Sequence, residues 1–179
     1  MPKRHINPIA NGRIRLRLLE EADLPLTLAW RNQDHIRRWF FSTDVIQPDQ
    51  HRRWFEQYRD RDDDFVFVVE ETEALHRPVG QVSLYRIDWA AGRAEFGRLL
   101  IGDREALALG LARLATAALC DEALTRWGLR EIIVECRADN VRAQSTCAAA
   151  GFVATGTDGD VTTMIRRQRA NRNEAVDGR

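Results

Sequence analysis

Two residues with little or no side chain, Gly110 and Ala112, open the most apolar stretch of the chain, ALALGLARLATAALC at residues 106–120. They follow a strand-like segment ending at Ile101 and a polar loop at residues 102–104, so a strand runs almost directly into a long helix. Such a junction leaves backbone N–H groups unpaired, with the positive end of the helix dipole behind them. That is an anion site, most often for phosphate, and Gly110 would let a polyphosphate lie close to the main chain. Neither Gly-x-x-x-x-Gly-Lys-Ser/Thr nor Gly-x-Gly-x-x-Gly is present, so the glycine taken alone fits a close strand–helix approach equally well.

A second chemistry-bearing stretch lies at residues 29–58, where Trp30, Trp39, Phe40, Phe41, Trp54, Phe55 and Tyr58 alternate with Arg31, Arg37, Arg38, Arg52 and Arg53. Two amphipathic helices joined by a loop at 42–48 would turn the aromatics inward and the arginines to water. The functional reading is a substrate wall in which aromatic faces and guanidinium groups meet a sugar, a base or a phosphate. The 27 basic and 27 acidic residues cancel, so nothing global recommends nucleic acid or an anionic membrane as partner. Cys120, Cys136 and Cys147, with His5, His35, His51 and His76, show no metal-ligand spacing, and no metal is expected. The N-terminus lacks the apolar core of a signal peptide, which makes the cytoplasm the expected location.

The elements that must position these groups follow from periodicity. Residues 13–18 alternate as a half-buried strand expected at a sheet edge, with Ile14, Leu16 and Leu18 on one face. Asp23 is expected to cap a short helix carrying Trp30, and a second helical piece is expected over 34–40. Strands at 65–70, 79–86 and 93–101, joined by short links, make an antiparallel meander. After the long helix, Glu131 to Arg137 reads as a strand parallel to the one ending at Ile101, because a helix crosses between them. Asn140 caps a helix that Gly151 ends, with Phe152 folded back on its last turn, and a hairpin over 152–168 closes the domain. The expected layout is an N-terminal extension at 1–12, one domain at 13–168 and a disordered polar tail at 169–179.

In this order the chain resembles the GNAT superfamily of acetyl-CoA-dependent N-acetyltransferases. The resemblance rests on the central strand, loop and helix and on Asn140-x-x-Ala143 followed by Gly151-Phe152. It implies an α/β fold with a mixed, mostly antiparallel sheet whose central parallel strands are splayed. It places the coenzyme A diphosphate on the main chain of Leu107, Ala108, Leu109, Gly110, Leu111 and Ala112, near Asn140. Leu107 stands where Arg or Gln is usual, and Ala108-Leu109 replaces the common Gly-Lys. Main-chain groups of Leu99, Leu100 and Ile101 would pair with the pantetheine arm, one N–H facing the thioester carbonyl.

The same resemblance suggests Glu95 as a base acting through water, against the alternative of an ordinary strand carboxylate. Cys147 occupies the position of a customary tyrosine acid, although its place in the helix also suits packing against Phe152. Trp30-Arg31-Asn32 and the later His51 look like the transferases that acetylate a nucleotide-linked amino sugar, with Arg31 and His51 as substrate contacts. Aminoglycoside and ribosomal-protein alanine acetyltransferases share a similar opening, and a coenzyme A-binding module without turnover is the reading from a different class. The expected partners are a small-molecule amine and a second copy of the chain as a homodimer.

Overall fold

The computed structural model describes residues 3–168. Eight strands form one sheet: β1 (Ile9–Asn11), β2 (Ile14–Leu18), β3 (Asp64–Glu71), β4 (Arg77–Asp88), β5 (Arg93–Ile101), β6 (Glu131–Arg137), β7 (Val153–Asp158) and β8 (Val161–Arg167). Their spatial order is β1-β2-β3-β4-β5-β6-β8-β7. Every neighbouring pair is antiparallel except β5 and β6. Helices α1 (Leu24–Arg31), α2 (Asp34–Arg37) and α3 (Pro48–Tyr58) precede β3, α4 (Leu111–Thr125) crosses from β5 to β6, and α5 (Val141–Ala149) crosses from β6 to β7.

The alternation of β3 divides the core in two. Phe65, Phe67 and Val69 join the large cluster with Leu111, Ala115, Leu119, Ala123, Ile132 and Phe152 beneath α4 and α5. Val66 and Val68 point the other way, into a smaller cluster with Leu24, Phe55 and Tyr58 beneath α1 and α3. With apolar side chains on both faces, β3 must be central, and the sheet is covered on both sides there.

The parallel pair decides what the sheet can do. β5 and β6 are in register only at Arg93↔Glu131, Ala94↔Ile132 and Glu95↔Ile133. Beyond Glu95 the strands part, so six residues of β5, from Phe96 to Ile101, have no partner on that side. A bulge helps to turn β5 away: Gln81 faces Leu100 and Ser83 faces Gly97, so three steps on β5 match two on β4, with Arg98 at φ +50°. The mixed sheet with splayed parallel strands expected from the sequence is therefore present.

Four local expectations change. β2 is not an edge strand, because β1 pairs beyond it through a turn at Gly12, φ +57°; three residues are too few for a period-2 signal. Asp23 does not cap α1. Its carboxylate instead accepts from the Arg17 guanidinium at 2.7 and 2.8 Å and the Glu20 N–H at 2.9 Å, closing a single 3-10 turn. The helical piece expected over 34–40 ends at Arg37. Gly110, expected within the first turns of the long helix, lies outside α4, at its N-cap, with φ +74°. The tail expectation at 169–179 falls outside the described residues.

Candidate active site

A cleft of about 510 Å³ runs along the freed end of β5. It brings together Leu99, Leu100, Ile101, Leu107, Ala112 and Asn140 from the sequence reading. Ile36, Arg38, Trp39 and Phe40 wall it from the α2 side, and Arg142, Ala143 and Thr146 wall it from α5. Its size suits an extended small molecule. Trp39, Phe40 and Arg38 thus form part of a wall, the functional alternative for this aromatic and basic stretch, and they do so as residues following a one-turn helix and not as part of a longer one.

The cleft ends at the start of α4. No side chain caps that helix. Among the described residues, the backbone N–H groups of Ala112 and Arg113 reach no protein acceptor, and the helix ladder resumes with Leu114 N–H to the Gly110 carbonyl at 3.3 Å. A Cβ built on Gly110 would meet nothing within 4 Å, so the approach to these donors is open. Free N–H groups and the dipole behind them make this end of the cleft fit a diphosphate. Leu111 points into the core, and Leu109 turns its carbonyl to the Arg13 guanidinium. Ala108 is held at φ +65°, a left-handed conformation that suits glycine.

Asn140 shapes the opposite lip. Its Oδ1 accepts the Ala143 N–H at 3.1 Å, the N-cap bond that starts α5. At the other end, Phe152 N–H reaches the Cys147 carbonyl and Gly151 N–H the Ala148 carbonyl, each at 3.0 Å, with Gly151 at φ +91°. These two bonds form a Schellman motif, and Phe152 then packs against Phe96, ring centroids 5.8 Å apart. The Asn and Gly-Phe signature thus fixes α5 at both ends against the diverging strand.

Glu95 lies on the other side of the sheet from Ala94 and Phe96, which are buried beneath α4 and α5. Its carboxylate takes Arg86 Nη1 at 2.9 and 3.1 Å. Ile133 is its register partner, so Glu135, two residues on, shares that face on the parted segment of β6. Glu135 is exposed and has no ion-pair or hydrogen-bond partner for its side chain among the described residues. Asp64, 2% exposed, holds Arg98 through two bonds of 2.7 and 3.1 Å, and Arg98 lies 4.4 Å over the Tyr85 ring. This group of Tyr85, Glu135, Arg98 and Asp64 was missed, although the alternation of β6 already put Glu135 opposite Ile132 and Val134.

The remaining candidates lie elsewhere. Cys147 does not line the cleft; it is 2% exposed, inside the large core cluster, and burial pushes its thiol up to about 12. Arg31 stacks over Phe40 at 3.9 Å and donates from Nη2 to the Ser42 carbonyl at 2.6 Å. His51 stacks on Trp54 and shares a 3.3 Å hydrogen bond with Thr27, and burial holds its imidazole below the usual range. Both residues tie the α1–α3 layer together, and neither lines the cleft.

A sheet that opens between two parallel strands, with free amides at one end and carboxylates on the far face, defines the class of coenzyme A-dependent acyltransferases. Residues 13–153 match the acetyltransferase (GNAT) domain family, and the chain belongs to it. A spermidine N-acetyltransferase from Vibrio cholerae, solved with CoA and spermine, is 26% identical with a TM-score of 0.79, covering 88% of this chain and 97% of that one. A GCN5-related N-acetyltransferase from Brucella melitensis shares the fold at 20% identity and a TM-score of 0.75, over 93% of this chain and 81% of that one. A domain from Methanocaldococcus jannaschii does so at 20% identity and a TM-score of 0.75, over 88% and 99%. No curated protein matches by sequence. The protein is an acetyl-CoA-dependent N-acetyltransferase, and acetyl-CoA is its cosubstrate. No helix among the described residues is long and apolar enough to cross a membrane.

Proposed function

We propose that the enzyme acetylates a primary amine of a small polar acceptor, which enters on the Glu95 and Glu135 face while acetyl-CoA occupies the cleft along β5. The observation that carries this reading is the parting of β5 and β6 immediately beyond Glu95 and Ile133. The opening connects a cleft suited to an anionic, extended donor with a face bearing carboxylates suited to a cationic amine. Ala112 and Arg113 would hold the diphosphate through their N–H groups, and the freed backbone of Leu99, Leu100 and Ile101 would pair with the pantetheine arm. Bound there, acetyl-CoA supplies an activated acyl group. Glu95, oriented by Arg86, would take the amine's proton through water, since only the unprotonated nitrogen attacks. Leu107 offers no polar contact to phosphate, so the main chain carries that task.

Among acceptors, a polyamine is the first class to test. The unpaired Glu135 favours a molecule with positive charge, and the Vibrio cholerae relative is a spermidine N-acetyltransferase. A nucleotide-linked amino sugar is the second reading and relies on Arg31 and His51. It asks Arg31 to leave Phe40 and the Ser42 carbonyl, and asks His51 to leave Thr27. Aminoglycosides and protein amino termini share the cationic amine and belong in the same panel. The test measures coenzyme A release from acetyl-CoA against these four classes. Release with one of them, matched by acetylated product, supports transfer; binding of acetyl-CoA with no release on any amine would leave a binding module.

A further inference from the structure

The buried thiol of Cys147 leaves the departing coenzyme A thiolate without a proton donor from α5. The face opposite that helix holds another candidate. Tyr85 of β4 is the register partner of Glu95, and its ring leans along the strand over Gly97. A Cβ built on Gly97 would stand 3.0 Å from the phenolic Oη and 3.2 Å from Cε1. The phenol therefore ends on the Cα of the second residue of β5 past its last pairing with β6, against the gap itself.

Among the described residues Tyr85 Oη makes no hydrogen bond, while the buried Tyr58 hydroxyl is satisfied by Val66. The ring is held by Arg98, which Asp64 fixes through two bonds. Glycine at 97 provides the room, since any side chain there would displace the phenol. Four charged groups act on it: Arg86 from its own strand, Glu95 and Arg98 from β5, and Glu135 from β6. Burial, with Glu95 next, raises the phenol above its ordinary range, so it is protonated at neutral pH.

We infer that Tyr85 donates the proton that the departing thiolate takes, a role that Gly97 makes geometrically possible; the inference rests on the acetyl-transfer reading above. The amine nitrogen forms its bond to the acetyl carbon and the carbon–sulfur bond breaks with its electron pair left on sulfur. Sulfur then takes the phenolic proton. Glu95 passes the proton it took from the ammonium to solvent, and the proton lost by the new amide nitrogen returns through water to the phenolate, so the enzyme ends as it began. Two of the four charged groups, Arg98 and Arg86, oppose the upward shift that burial and Glu95 impose on the phenol.

The experiment compares wild type, Tyr85→Phe and Gly97→Ala, using acetyl-CoA and whichever amine the wild type turns over, with kcat followed from pH 7 to 10.5 and acetyl-CoA affinity measured separately. The expected result for Tyr85→Phe is a fall in kcat on the order of 100-fold, with affinity for acetyl-CoA within about twofold of wild type. Because the phenol is held above its ordinary range, the deficit should persist across pH 7 to 10.5 and not be confined to one limb of the profile. Gly97→Ala keeps the hydroxyl but moves it, and should lower kcat in the same direction by less. Unchanged kcat in Tyr85→Phe across that range would overturn the role of Tyr85 while leaving acetyl transfer in place. A wild type that turns over no amine would remove the functional reading and the proton donor together.

Discussion

Glu95 is the decisive single residue, because it is the last of β5 paired with β6 and lies on the face where the amine is proposed to enter. Replacing Glu95 by Gln should lower kcat at neutral pH by about 100-fold, and by much less near pH 10, where the amine is already free. A ratio to wild type that stays constant across pH would take Glu95 out of the proton path. His51 gives a stability prediction with a definite sign. Burial depresses its folded pKa, so the unfolded chain binds a proton first as pH falls below about 6.5. The stability that neutral His51 contributes is present above that pH and is lost as pH falls through the folded value. Thermal melts between pH 7 and 5 should show a smaller decline for His51→Gln than for wild type; equal declines would contradict this. The resemblance offered both Glu95 and Cys147, but the helix position of Cys147 opposite Phe152 already suited packing, and the thiol lies in the core. For Glu95 only the folded sheet tells a carboxylate on the open face from an ordinary strand residue.

Among the elements, the junction of β5 with α4 shows how much a short stretch can specify. An apolar helix behind Gly110 and Ala112 was readable from spacing, and so was the exposed row of N–H groups it creates. The Asn140 cap and the Gly151-Phe152 termination of α5 were equally readable, because each is a local hydrogen-bond arrangement. The strain at Ala108 was legible only through the resemblance, which has glycine there, since a φ of +65° leaves no mark on composition. Ala108→Gly should stabilise the fold by about 1 kcal/mol, the left-handed penalty relieved less the added freedom of the unfolded chain. Denaturant unfolding checks it, and a loss of stability would mean that the loop relaxes away from that conformation in solution. β1 escaped notice because three residues cannot display alternation, and its presence moved β2 from the edge to an inner place in the sheet. The α2 segment was over-extended because Trp39 and Phe40 fit a helical period as well as they fit a cleft wall.

Over the whole molecule, function follows from one sheet that is closed on most of its length and open at one seam. The meander β3-β4-β5 and the hairpin β7-β8 are antiparallel ladders, and the meander together with Met164 of β8 packs against α4 and α5 in the large core cluster. Between them β5 and β6 share only three registered positions. The seam leaves backbone groups unpaired that a substrate can satisfy, which is why acyl transfer is proposed to take place there. The order of elements made this architecture legible in the sequence, while the composition of each wall depended on side chains brought together across long separations. The most direct test titrates acetyl-CoA calorimetrically into wild type and Ala112→Glu, which sets a carboxylate at the free amides of α4. The account predicts binding at one site per chain in wild type and an affinity at least 100-fold weaker in the variant. Equal binding by both proteins would place the diphosphate elsewhere and contradict it.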